Sequence, residues 1–190
     1  MIMLPFVLVG ILIIWNIFWI IWKYNLLIST KNEVANAWNQ IDVQLKRRHD
    51  LIPNIVGSIK GSMEYEQDTM RQVMEARSAA TGAKTIGESA LREGELSSAL
   101  SRLLAVTENY PDLKVNENVQ QLMQELTGTE NTIGYARQFY NDIATSFNTM
   151  QQTFPGSMIA NMFAFKPVQL FQLQAAKERE APAVDLSIRK

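Results

Sequence analysis

Residues 34–59 read VANAWNQIDVQLKRRHDLIPNIVGSI. Val34, Trp38, Ile41, Leu45, Ile52, Ile55 and Ile59 recur at intervals of three, four and seven. An α-helix brings residues so spaced onto one face, and no other regular backbone does. The stripe runs on through Met63, Met70, Val73 and Met74, so the spacing predicts a helix from about Leu26 to Ala80. Such a helix is roughly 80 Å long at 1.5 Å per residue. Pro53 lies inside it, lacks a backbone N–H and crowds the preceding turn, so a bend or break is expected near residues 49–52.

Toward the N-terminus the pattern changes character. Residues 1–22, MIMLPFVLVGILIIWNIFWIIW, contain no charged side chain, and all 18 Lys+Arg and 19 Asp+Glu lie beyond them. A helix needs about 20 apolar residues to cross the hydrocarbon of a bilayer. Residues 1–23 are therefore read as a transmembrane anchor that starts at about Ile2, and the missing N–H of Pro5 costs little in a first turn. Trp15, Trp19, Trp22 and Tyr24 gather toward one end, as aromatic residues do at a membrane–water boundary. The absence of a basic leader and of a small-residue cleavage site argues against a removed signal peptide. Lys23 and Lys31 follow the span and no Lys or Arg precedes it. By the positive-inside rule the N-terminus is expected outside and the bulk of the chain in the cytoplasm.

Beyond the long stripe the periodicity stays helical. Residues 81–89 (TGAKTIGES) are small, polar and Gly-bearing and read as a loop. A shorter helix follows, carrying Leu91, Leu96, Leu100, Leu103, Leu104 and Val106 and ending at Tyr110-Pro111-Asp112. Asn116 or Asn118 offers an N-cap for a third long helix from Glu117 to about Thr153. Its stripe is Val119, Leu122, Leu126, Ile133, Tyr140, Ile143, Phe147 and Met150. Helices of this length bury a stripe only against one another. The fold class is therefore all-α: an N-terminal transmembrane helix, then an elongated up-and-down antiparallel bundle of three to four long helices over residues 24–154. Phe154-Pro155-Gly156 reads as a turn. Residues 155–174 form an apolar Phe/Met-rich segment that caps the bundle end, lies in the membrane interface or pairs with a neighbouring subunit. Residues 175–190 read as a flexible tail.

Composition excludes several chemistries. Without Cys there is no disulfide, thiolate metal site or thiol nucleophile. His49 is the only histidine, and a net charge of −1 leaves no electrostatic footprint for nucleic acid. The Glu-x-x-His pairs of a bundle di-iron centre do not occur, nor does a phosphate loop or nucleophile elbow. No cofactor, no metal and no enzymatic activity are expected.

These residues also form a pattern. Tyr24-Asn25-Leu26, residues 34–59 and Ala76-Arg77 belong to it in the first half. Glu125-Leu126, Thr129-Glu130-Asn131, Tyr135-Ala136-Arg137, Tyr140-Asn141-Asp142, Phe147-Asn148 and Phe154-Pro155 belong to it in the second. With the anchor, the chain resembles the LemA family of bacterial membrane proteins over nearly its whole length. The run Asp42-x-x-x-Lys46-Arg47-Arg48-x-Asp50-Leu51-Ile52-Pro53-Asn54 is the most specific part. The resemblance implies a helical bundle behind one helix in the bacterial inner membrane, with a short outward N-terminus and no settled biochemical activity. Two departures are Thr132, where the family more usually has a basic residue, and Val184-Asp185-Leu186, where an aromatic is commoner.

Two groups of residues are candidates for interaction. Lys46, Arg47 and Arg48 are either a basic patch for an acidic partner or one side of cross-helix ion pairs with Glu130 or Asp142. His49 reads as a side chain beside a kink, with no second titrating group to make it a switch. Phe154, Met158, Met162, Phe163 and Phe165 are more apolar surface than a monomer readily covers. The expected function is a self-associating scaffold or adaptor at the cytoplasmic face, with a membrane protein such as a stress protease as partner. The alternative is a sensing bundle that relays a change across the bilayer to a partner.

Overall fold

A computed structural model describes residues 3–172 of the chain, and every regular element among them is helical. In order these are α1 (Met3–Ile59), a single 3-10 turn (Glu64–Glu66), α2 (Gln67–Thr81), α3 (Ile86–Thr107), α4 (Pro111–Val115), α5 (Glu117–Gln152) and α6 (Gly156–Met162). Ile2, the tail from residue 175 and the departure at Val184-Asp185-Leu186 lie outside the described residues.

The expected span and the first bundle helix are one element. α1 runs for 57 residues without interruption, about 85 Å by the helical rise. Between Phe6 and Ile17 its side chains are largely exposed, and from Leu27 onward one stripe is buried. Of the bend or break expected near Pro53, the break does not occur. The reason is local. Proline at 53 cannot donate to the carbonyl of His49 one turn back, and that carbonyl instead accepts a 2.5 Å bond from Nε of Arg77 on α2. A guanidinium thus takes the place of the missing amide, while Leu51, Ile52 and Ile55 hold the turn by burial. The predicted 26–80 helix breaks instead after Ile59. The sequence Lys60-Gly61-Ser62 turns the chain there, and Met63 is fully buried beneath the turn.

Caps set the later boundaries. Thr85 precedes α3 and its hydroxyl accepts from Glu88 N at 3.2 Å, while the Glu88 carboxylate accepts from Lys84 N at 3.1 Å. The loop is therefore shorter than the nine residues expected from composition. Asn116 caps α5 as its sequence suggests, accepting from the amides of Asn118 and Val119. Pro111 opens the short α4, where its missing N–H is harmless.

α1 and α5 form the antiparallel spine. Thr30 meets Met150 at the end next to the apolar part of α1, Trp38 packs edge-on against Tyr140 at 5.7 Å, and Arg47 reaches Glu125 further along. Two apolar cores lie along this spine. The distal one joins Ile52, Ile55, Ile59, Val73, Leu96, Leu100 and Leu126 from α1, α2, α3 and α5. The proximal one joins Leu27, Val34, Ile41, Ile133, Ala144 and Phe147. Its remaining wall is not a long helix but α6 and the extended residues that follow, which contribute Ile159, Ala160 and Phe171. Each such side chain contributes about 1.5–3 kcal/mol when fully buried.

Candidate functional site

A layer of charge separates the two cores. Arg48 is 1% exposed and Glu93, on α3, is 2% exposed. Nη2 of Arg48 donates to Glu93, and Nη1 donates to Glu130 on α5 and to the Ser97 hydroxyl at 2.9 Å. Ser97 in turn donates to the other Glu130 oxygen at 2.9 Å. Nε2 of His49 lies 2.8 Å from Oε1 of Glu93, and Arg77 holds the His49 carbonyl. One arginine on α1 therefore ties α3 and α5 to a single register. Burial pulls the Glu93 carboxyl upward, but the hydrogen bond to His49 and the charge of Arg48 outweigh it and hold the carboxyl below the usual range. Burial lowers Arg137 on α5, partly opposed by Glu130, and its Nε has no hydrogen-bond partner. Its guanidinium stands 5.1 Å from the Phe171 ring centre.

The layer opens on one side into a polar cleft of about 440 Å³, lined by Trp38, Asp42, Lys46, His49, Arg77, Lys84 and Glu93 among others. Cations and carboxylates alternate around it, so it has no dominant sign of charge. Among the described residues no group of three His, Asp or Glu side chains is placed to hold a metal.

A second constellation closes the proximal core. After α6 the chain turns through Ala164, which has φ of 53°. Phe165 N donates to Ala160 O at 2.9 Å and Ala164 N to Asn161 O at 3.3 Å, the two bonds of a Schellman cap. Residues 165–172 then run back along α5 as a strap. Asn148 donates to Val168 O and accepts from Val168 N, both at 2.9 Å. Asn141 does the same with Phe171, at 3.0 and 2.8 Å. Tyr140, whose phenol burial pushes up, donates to Gln169 O at 2.7 Å.

The three basic residues weighed as either one patch or cross-helix ion pairs point three ways. Arg48 is inside the charged layer, in the ion-pair arrangement with Glu130 that the sequence allowed, and is not surface. Arg47 makes an exposed pair with Glu125 at 2.6 Å, worth at most about 1 kcal/mol. Lys46 lines the cleft. His49 does have a titrating partner, Glu93, which corrects the expectation that it has none. Of the apolar candidates, Phe165 turns inward against Tyr24 and Phe147, with ring centres 6.0 and 6.3 Å away. Phe154, Met158, Met162 and Phe163 stay exposed. Trp15 and Trp22 are exposed on the apolar part of α1, while Trp19 packs against the proximal core.

Sequence reading gives no role to Glu93 or Ser97, and it places Arg77, Asn141 and Asn148 in the family pattern without one. Glu93 carried a readable signal, for it falls between Ala90 and Leu96 on the buried stripe of α3. Arg48, Arg77, Glu130, Arg137, Asn141 and Asn148 all belong to the runs that carry the family pattern. Their geometry gives those runs a physical purpose: they are the charged layer and the strap.

These features define an all-α protein with a first helix long and apolar enough to cross a membrane. The chain belongs to the LemA family, whose model matches residues 37–186. It is 30% identical to the protein LemA of Metamycoplasma hominis over 166 residues, covering 87% of this chain and 74% of that relative. It is 23% identical to magnetosome protein MamQ 2 of Paramagnetospirillum magneticum and 21% identical to magnetosome protein MamQ of Magnetospirillum gryphiswaldense. Each of those matches covers 87% of this chain and 68% of the relative.

Proposed function

We propose that this chain is a non-enzymatic inner-membrane protein that self-associates and acts as a scaffold or adaptor at the cytoplasmic face, its N-terminus outside. The observation that carries self-association is the outer face of the α1–α5 spine. An open groove of about 330 Å³ runs there between Asn39, Gln40, Val43 and Gln44 of α1 and Thr132 and Ala136 of α5. None of these residues is charged, and Val43, Tyr135 and Phe139 beside it are exposed. Exposed aromatic residues on a charge-poor surface suit the centre of a protein–protein interface. Thr132 contributes to this neutrality, since a basic residue at that position would place a charge in the groove. Gly128, one turn before Thr132 on the same face, leaves open space where a side chain would stand, room for a neighbouring helix to approach. A membrane protein such as a stress protease fits the same surface as an adaptor's partner.

The mass of the full-length protein in detergent tests this. A defined oligomer is expected, reduced to monomer by Tyr135→Glu with Phe139→Glu. An unchanged mass in that variant removes this face as the contact. A second reading, relay of a signal across the bilayer, is favoured by the continuity of α1 from the apolar span to His49 in the charged layer. Protease digestion of intact cells separates the two: cleavage of the bundle from outside favours sensing and reverses the proposed orientation.

A further inference from the structure

Among the described residues, the outward edge of α6 is left largely uncovered. Phe154, Met158 and Met162 succeed one another at intervals of four residues, with Phe163 beside them, and they are 80, 60, 67 and 47% exposed. No charged side chain occurs between Asp142 and Lys166. The opposite edge of α6 seats Ile159 and Ala160 in the proximal core with Leu27. The Phe163 ring lies 4.6 Å from that of Tyr24, and Trp19 and Ile20 pack against the same core. These α1 residues are the last turns of the apolar span and the first turns beyond it. From Trp19 to Leu27 the helix rises only about 12 Å. If residues from Met3 to Trp22 fill the hydrocarbon, Tyr24 to Leu27 stand in the headgroup layer, and α6 stands there with them.

We propose that the Phe154–Met158–Met162–Phe163 edge is a second membrane contact, seated in the headgroup–acyl boundary of the leaflet that faces the bundle. A short helix lying in that plane buries its apolar side about 5–10 Å deep. Lipid is the occupant because of position: whatever covers this edge must itself occupy the headgroup layer. Lys23, 4.9 Å from the Trp22 ring, and the exposed Lys166 flank it at the level of lipid phosphates. The chain thus touches the bilayer at two points, a span and a lateral foot, which together fix the tilt and rotation of the bundle. The inference is independent of self-association, but it does rest on α1 spanning the bilayer.

The chain has no cysteine, so single cysteines placed by Met158→Cys, Met162→Cys, Ile14→Cys and Asn131→Cys each carry one environment-sensitive fluorophore. The full-length protein is reconstituted in vesicles of phosphatidylcholine and phosphatidylglycerol. Quenching by lipids spin-labelled high on the acyl chain is then compared with quenching by aqueous iodide. The lipid quencher is expected to act several-fold more strongly at 158 and 162 than at 131, and iodide several-fold more weakly. Iodide quenching at 158 and 162 equal to that at 131 overturns the proposal. Shielding from both quenchers also overturns it, in favour of a second protein copy. A label at 14 insensitive to lipid quencher defeats the span itself, and the foot with it.

Discussion

Asn148 and Val168 exchange two hydrogen bonds of 2.9 Å, one in each direction, so that a side-chain amide stands in for the neighbouring strand of a sheet. Asn141 repeats the arrangement with Phe171 two helical turns away. The spacing is a geometric match. Seven residues of helix advance about 10.5 Å, and three residues of extended chain advance about 10 Å. Helix and strap therefore stay in register across both clasps.

Replacing either asparagine by alanine leaves one amide and one carbonyl of the strap unpaired. A loss of about 1–3 kcal/mol is expected for each, by denaturant titration of the protein in detergent. The two losses are coupled, because one failed clasp loosens the other. Hydrogen exchange at the amides of Val168 and Phe171 reports the same event locally. Unchanged protection in Asn148→Ala contradicts the clasp.

Arg48→Met leaves the buried Glu93 carboxylate with His49 alone beside it and is expected to destabilise the bundle by about 3–5 kcal/mol. Arg48→Met combined with Glu93→Leu and Glu130→Gln recovers most of that loss, since an apolar layer of similar volume replaces a charged one. Thermal unfolding of the two variants side by side decides it. A combined variant no better than Arg48→Met means that the layer is needed for more than balance of charge.

Glu93 makes stability depend on acid. Its folded carboxyl is held below the ordinary glutamate value of about 4.3, so its contribution is complete above that pH. The contribution is lost as pH falls through the lower, folded value. The difference in unfolding midpoint between the native chain and Glu93→Gln is expected to be constant from pH 7 to about 5 and to shrink below about 4.3. A difference that does not change with pH contradicts the ionised pair.

Three small residues behave differently under substitution. A Cβ at Gly156 meets the Met150 carbonyl oxygen at 2.2 Å, so Gly156→Ala forces backbone to move and costs about 1–3 kcal/mol. A Cβ at Gly134 meets nothing, so Gly134→Ala stabilises the monomer by up to about 1 kcal/mol. Ala164→Gly relieves a left-handed residue at the end of α6 and stabilises by about 1 kcal/mol. Unfolding midpoints check all three signs.

The helices were legible in sequence because their stripes are long, and the cap at Asn116 because its side chain competes for free amides; the cap at Thr85 was not, since its small polar surroundings read as loop. Pro53 was misleading because its penalty is local while its remedy, Arg77, is supplied from another helix. The charged layer was half legible. Arg48 and Glu130 were visible as a potential pair, but Glu93 was hidden on an apolar stripe where a carboxylate is uncommon. The strap was illegible as such. Extended chain clasped by asparagines has no periodicity, so only its apolar content showed; covering the bundle end was one of the uses that content allowed, and buried Phe171 with half-buried Phe165, Val168 and Leu170 takes it.

The order of elements along the chain has a consequence for synthesis. The face of α1 from Leu27 to Leu45 is made well before Tyr140, Phe147 and Phe171, which cover it. At about 5–20 residues per second, some 6–25 s pass between the appearance of Leu45 and that of Phe171. During this interval the nascent chain carries an unshielded apolar ridge. Its maturation therefore depends on whatever keeps that ridge from aggregating, the lipid surface itself or a holding chaperone, until the last turn of α5 and the strap arrive.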